Sequence, residues 1–160
     1  MEKYIITKEE IAAMDGEEKM HFLNPKAIRT NKSLGDLTGL QGLGFHIIEI
    51  APNHESTEYH QHKYEDECVF ILEGKAEIMI GDDLEVVKEG DFIGYRASGL
   101  PHSMKNIGTS TLKCIVAGQR LAHDVADYPK KHKRLYRNQG KEWDLVDISD
   151  IQAPNKKVNS

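Results

Sequence analysis

Cysteine is scarce in this chain: Cys68 and Cys114 are its only two in 160 residues. Two thiols make no disulfide framework. The expectation is a reducing, cytoplasmic setting in which both thiols stay free and fill buried apolar positions. Long apolar runs are missing as well. No stretch approaches the roughly 20 apolar residues of a membrane span. The N-terminal MEKYIITKEEIAAMDG is acidic and has no long apolar run, so it lacks the form of a secretory signal. Positive charge is also in short supply. Lys and Arg number 21 against 26 Asp and Glu, a net charge of −5. A nucleic-acid partner held through its phosphates needs a basic surface, so none is expected. No glycine-rich phosphate cradle of recognised form is present, which counts mildly against a phosphorylated substrate. Internal repeats and low-complexity segments are absent.

What remains is an ordinary soluble composition, with 39% apolar and 29% charged residues. The length suits one domain with a sizeable core. Thr7 and Glu10 have the spacing of a capping box, and they predict a short helix from about Lys8 to Met14, ended near Gly16. Its apolar face is small, so it should pack on a larger body. Residues 20–43 hold three glycines, a proline and several Asn, Thr and Ser, and read as an irregular arm with short extended pieces. FHIIEI, from Phe45, reads as a strand. CVFIL and AEIMI, divided by Glu73-Gly74-Lys75, read as a hairpin. LEVV, FIGY and LKCIVA follow at intervals of about ten residues, punctuated by Gly and Asp turns. About eight strands between Gly44 and Gly118 make an all-β sandwich or barrel, with the strand number of a jelly roll. From Gln119 the texture is charged with interleaved aromatics. Residues 119–160 read as an arm pinned by Tyr136, Trp143 and Leu145, the basic run 130–134 as a solvated loop, and 154–160 as a frayed end. The organisation is then an arm over 1–43, a barrel over 44–118 and an arm over 119–160, all one domain.

The chemistry concentrates in YHQHKYEDECVFILEG, residues 59–74. His60 and His62 are two apart, so on a strand they point to one face and can reach one ion. Glu67 follows five residues later, and it starts the alternation Glu67-Val69-Ile71 that can face an interior. Asp66 and Glu65 are the next carboxylates in line. His102 lies in a second glycine-rich stretch, GDFIGYRASGLPHSMKN. Imidazole nitrogens with one carboxylate oxygen suit a divalent transition metal: Mn, Fe, Co, Ni or Zn. The competing reading is a polar strand face followed by a solvated acidic turn. His46 shares a face with Ile48 and Ile50 and is left out, as a hydrogen-bonded core histidine. Glu58 shares the face of His60 and His62.

The two stretches resemble the paired signature motifs of the cupin superfamily. His60, His62, Glu67 and Gly74 match the first. Gly90, Gly99, His102 and Asn106 match the second, with Ala97 where proline is usual and one extra residue after Gly90. The resemblance implies a cupin double-stranded β-helix, a jelly-roll barrel with a short N-terminal helix and extended N- and C-terminal arms. It also implies a metal held by His60, His62, Glu67 and His102, and a homodimer. LGDLTGL, GDFIGYRA, GQRLAHDV and KRLYRN extend the likeness over nearly the whole chain, to small bacterial single-domain cupins often named as sugar-phosphate isomerases.

Four protein ligands on an ion that accepts six leave two positions open, as a catalytic metal requires. The first expectation is a sugar or sugar-phosphate isomerase or epimerase. Glu58 and Tyr95 are its candidate catalytic groups, and Arg96 and Lys63 its candidate substrate-binding cations. The alternatives are a metal-dependent dioxygenase, a non-catalytic module that holds a small ligand, and a purely structural metal.

Overall fold

The computed structural model describes residues 3–154, and the polar end 155–160 lies outside the described residues. A capped helix, α1 (Lys8–Ala13), opens the fold. The Thr7 hydroxyl accepts from Glu10 N and the Glu10 carboxylate accepts from Thr7 N, so both halves of the box form. None of its residues is buried, contrary to the expectation that it packs on a body. Thirteen strands follow among the described residues, with a single-turn α2 (Leu34–Leu37) after the second.

Six strands form the first sheet: β1 (Glu17–His21), β2 (Asn24–Ser33), β3 (Leu43–Ile50), β5 (Glu67–Glu73), β8 (Phe92–Tyr95) and β10 (Leu112–Gln119). Their order is β1-β2-β3-β10-β5-β8, all antiparallel. A second group orders β13 (Asp144–Asp147), β12 (Lys133–Asn138), β11 (His123–Tyr128) and β4 (Gln61–His62). A third orders β7 (Asp83–Lys88), β6 (Lys75–Ile80) and β9 (His102–Asn106). The last two groups meet at a bridge between His60 and His102. The result is a jelly roll whose sheets stay separate rather than closing into one hydrogen-bonded barrel.

The core lies between the sheets. Ile48, Ile50, Val69, Ile71, Leu112 and Cys114 come from the first sheet, and Ala76, Ile78 and Met104 from the facing strands. Alternate positions on each strand supply these residues, as period-2 patterning requires. Burial pushes the Cys114 thiol up to about 12, so it packs as an unreactive apolar group.

Both flanking segments are more regular than their composition suggested. Residues 20–43 contain most of the β1–β2 hairpin, which extends the first sheet. Turn-forming residues misled the reading here, because pairing against β3 overrides weak local preference. Residues 119–150 supply β11, β12 and β13. The basic run is not a free loop: Lys131 lies 3.7 Å from Glu58, Lys133 2.7 Å from Asp147 and Arg134 2.6 Å from Asp127. Ala126, Tyr128 and Leu135 are the buried apolar anchors of this segment, while Trp143 and Leu145 are exposed.

Two positions in the second motif have clear physical reasons. Asn106 is fully buried, and its amide donates to Ile50 O at 2.8 Å and Ser110 O at 2.9 Å while accepting from Gly108 N at 2.8 Å. It thus ties β9 to the end of β3 and closes the turn into β10. Ala97 donates its backbone N–H to Asp66 Oδ1 at 2.7 Å. Proline has no such donor, so its replacement here gains a hydrogen bond. Asn106→Ala leaves the buried Ile50 O and the part-buried Ser110 O and Gly108 N without their side-chain partner and should lower stability by about 2 kcal/mol. Urea unfolding measures this, and a loss under about 1 kcal/mol would contradict the role given to the amide.

Candidate metal centre

His60 and His102 face each other across adjacent antiparallel strands. His60 N donates to His102 O at 3.0 Å and His102 N donates to His60 O at 2.8 Å. Residues paired this way project their side chains to the same face. The ring centroids therefore stand 4.6 Å apart. His62, two residues on, shares that face at 4.9 Å from the His60 ring. Glu67 comes from β5 of the opposite sheet. One nitrogen from each of His60 and His62 and a Glu67 oxygen lie within 4.8 Å of one another. His102 Nε2 is 4.0 Å from Glu67 Oε1.

The second nitrogen of each ring already has an oxygen partner. His60 Nδ1 lies 2.9 Å from Glu58 O, His102 Nδ1 3.4 Å from Leu100 O and His62 Nδ1 2.6 Å from Asp124 Oδ2. Carbonyl and carboxylate oxygens accept, so each Nδ1 carries the proton and each Nε2 keeps its lone pair. This is how imidazoles that ligate metals are oriented. His102 Nε2 is buried and has no hydrogen-bond partner. An orphaned buried acceptor is costly, and a cation resolves it. The donor set fits a divalent transition metal.

The electrostatics match. Burial, reinforced by the neighbouring imidazoles, holds His60 well below its ordinary value, and burial takes His102 down to about 4. Both rings are neutral at pH 7, as ligands must be. Burial opposes charge on His62 too, but the bond to Asp124, with Glu67 and Glu65 nearby, raises it. Burial raises Glu67, against the pull of His62 and Arg29. A metal would favour the ionised carboxylate.

Glu65 and Asp66, the other carboxylates of the motif, are occupied elsewhere. Glu65 accepts from Leu121 N at 2.7 Å and pairs with Arg137. Asp66 receives Ala97 N. A second acidic group, His62, Glu65 and Asp124, is also close enough to hold a cation. There, however, Arg137 supplies the positive charge and His62 faces Asp124 with its N–H.

The imidazoles and Glu67 open on a cavity of about 790 Å³. Tyr95 lines it, its ring stacked on His102 at 3.5 Å, and its hydroxyl is buried without a hydrogen-bond partner. Burial, then the Glu67 carboxylate, pushes this phenol well above its ordinary value. Glu58 lies apart from the cavity wall, with its carboxylate toward Lys131. Lys63 pairs with Gln61 at 2.6 Å and Asp127 at 3.0 Å. Arg96 is exposed and lines an adjoining cavity of about 540 Å³ that shares Glu67 and Tyr95 with the first. His46 is hydrogen-bonded to Ser33 and Asn31. Asp124, Arg137 and Arg29 escaped the sequence reading. The alternation Asp124-Ala126-Tyr128, all buried, was the signal available for the first.

An antiparallel jelly roll with a cluster of imidazoles turned inward between its sheets defines a class of small β proteins. The chain belongs to the cupin superfamily: residues 46–118 match the cupin domain. A protein from Acidithiobacillus ferrooxidans named "Putative sugar phosphate isomerase" is 53% identical, with 94% of this chain and 96% of that one covered and a TM-score of 0.91. A cupin-superfamily protein from Silicibacter pomeroyi named a sugar phosphate isomerase is 18% identical, covering 93% and 98%, with a TM-score of 0.79. The polyketide cyclase RemF from Streptomyces resistomycificus shares the fold at 23% identity, covering 71% and 72%, with a TM-score of 0.51. No curated protein matches the chain. Among the described residues no helix is long and apolar enough to cross a membrane.

Asp124→Ala removes the acceptor that orients His62. It should weaken divalent-metal affinity by roughly 10–100-fold while the protein stays folded. Competition against a chromogenic chelator measures this, and unchanged affinity would remove Asp124 from the site.

Proposed function

We propose that this cupin is a metal-dependent enzyme that isomerises or epimerises a small sugar or sugar phosphate. The observation that carries the reading is the convergence of three Nε2 lone pairs and the Glu67 carboxylate on one cavity. The relative at 53% identity, named "Putative sugar phosphate isomerase", supports the substrate class. His60, His62, Glu67 and His102 are the proposed ligands of one divalent ion, Mn, Fe, Zn or Ni. Such an ion supplies Lewis acidity to a carbonyl and an adjacent hydroxyl. The chain's own residues do the rest. The Nδ1 contacts keep the ligand rings in register. Tyr95 Oη, buried and unpartnered, holds its proton at neutral pH and donates to a substrate oxygen that gains charge.

Elemental analysis joined to proton exchange tests this. The wild-type chain should carry one divalent ion, and His102→Ala should lose it while remaining a folded β protein. Aldose and ketose phosphates in D₂O should take up deuterium at the carbon beside the carbonyl. Unchanged metal in His102→Ala would refute the ligand set. Oxygen consumption by an iron-loaded protein without exchange would establish a dioxygenase instead. A retained ligand without turnover would establish a binding module.

We also infer a cytoplasmic homodimer. Phe70 and Phe92 sit opposite each other on β5 and the edge strand β8, and both are exposed. An exposed aromatic pair beside an unpaired strand edge is a natural self-association surface. Sedimentation should give twice the monomer mass, and Phe92→Ser should shift it to the monomer. A monomeric wild type contradicts the inference.

A further inference from the structure

The cavity's charged groups are mostly matched to one another. Arg120 pairs with Asp36, Arg137 with Glu65, and His62 with Asp124. Arg29 differs. It lines the same cavity from β2, and its guanidinium is given no carboxylate among the ion pairs of the described residues. Its Nη1 donates to the Ser56 carbonyl, while its Nε is buried and makes no hydrogen bond. Glu67 attracts it only at longer range. Arg29 also stands directly across the β1–β2 pair from Lys19, which lines the cavity too. Like charges in that position cost stability. Lys19 has a partner in Glu17 at 3.1 Å, but this pair is exposed and weak.

We propose that Arg29, assisted by Lys19, anchors a phosphate group on the substrate. The inference rests on the metal reading above and adds the substrate's second point of attachment. A divalent ion on three neutral imidazoles and one carboxylate leaves one net positive charge in the cavity, and Arg29 adds a second. A phosphate monoester, close to a dianion at pH 7, cancels both. A carboxylate cancels one. The planar guanidinium offers a second N–H beside Nε for a bidentate grip on phosphate oxygens. The cavity volume lies within the roughly 300–1,000 Å³ usual for small-ligand sites, which leaves room for a chain of carbons between the anchor and the ligand cluster. Of the cations first considered for this role, Lys63 is held by Asp127, and Arg96 is exposed and lines the adjoining cavity rather than this one.

Calorimetric titration of inorganic phosphate and of acetate into the full chain, metal-loaded as purified, tests the anchor. Wild type should bind phosphate more tightly than acetate. Arg29→Gln should weaken phosphate binding at least ~10-fold, the value of a charged hydrogen bond, with metal content unchanged. Lys19→Gln should cost about 2–3-fold, as an exposed charge does. If Arg29→Gln does not fold, Arg29→Lys keeps the charge but loses the fork and should cost several-fold. Unchanged phosphate affinity in the folded Arg29 variant overturns the proposal, as does acetate bound as tightly as phosphate by wild type. Loss of metal from Arg29→Gln also overturns it, by making Arg29 a support for Glu67. The two readings fail separately. A wild type without metal whose phosphate binding still depends on Arg29 sinks the metal and keeps the anchor. A metal-loaded Arg29→Gln that binds phosphate normally does the reverse.

Discussion

The candidate site depends on one backbone pairing. His60 and His102 exchange both main-chain hydrogen bonds, and that exchange joins the strands before and after the first sheet's β5 and β8. It sets two imidazoles side by side without using any side-chain atom. Those side-chain atoms stay free for chemistry. Each ring is then turned by an oxygen at Nδ1, so the lone pairs face the Glu67 carboxylate across the gap between sheets. Backbone geometry fixes position and polar contacts fix orientation. Burial completes the arrangement by holding His60 and His102 neutral.

The segments outside the family's central strands supply the polar groups around this centre. β11 brings Asp124 to His62, and β12 brings Arg137 to Glu65. β2 brings Arg29 to the cavity wall. A jelly roll hosts many activities, and groups of this kind, carried on added strands, are where one member can differ from another.

The legible part of the fold was the part written in local pattern. Period-2 apolar residues gave the central strands, the capping box gave α1, and fixed spacings gave His60, His62, Glu67 and His102. Gly74 was legible too, because the turn between β5 and β6 holds it at φ +91, where side chains are strained. The flanks were not legible. Residues 20–43 have weak strand propensity, and their order comes from pairing with β3. Asp124 sits 62 residues from His62, and no spacing rule predicts which carboxylate reaches back so far. Glu58 shows the limit of strand parity: it sits two residues before His60, yet its carboxylate turns toward Lys131. The chain departs from a regular strand there, since only Gln61 and His62 pair as β4.

The most direct measurement is anomalous diffraction from crystals of the metal-loaded protein, collected across the absorption edge of the ion found. The account predicts one peak per chain, about 2.0–2.2 Å from Nε2 of His60, His62 and His102 and from a Glu67 oxygen. A peak among His62, Glu65 and Asp124, or coordination through any Nδ1, would contradict it.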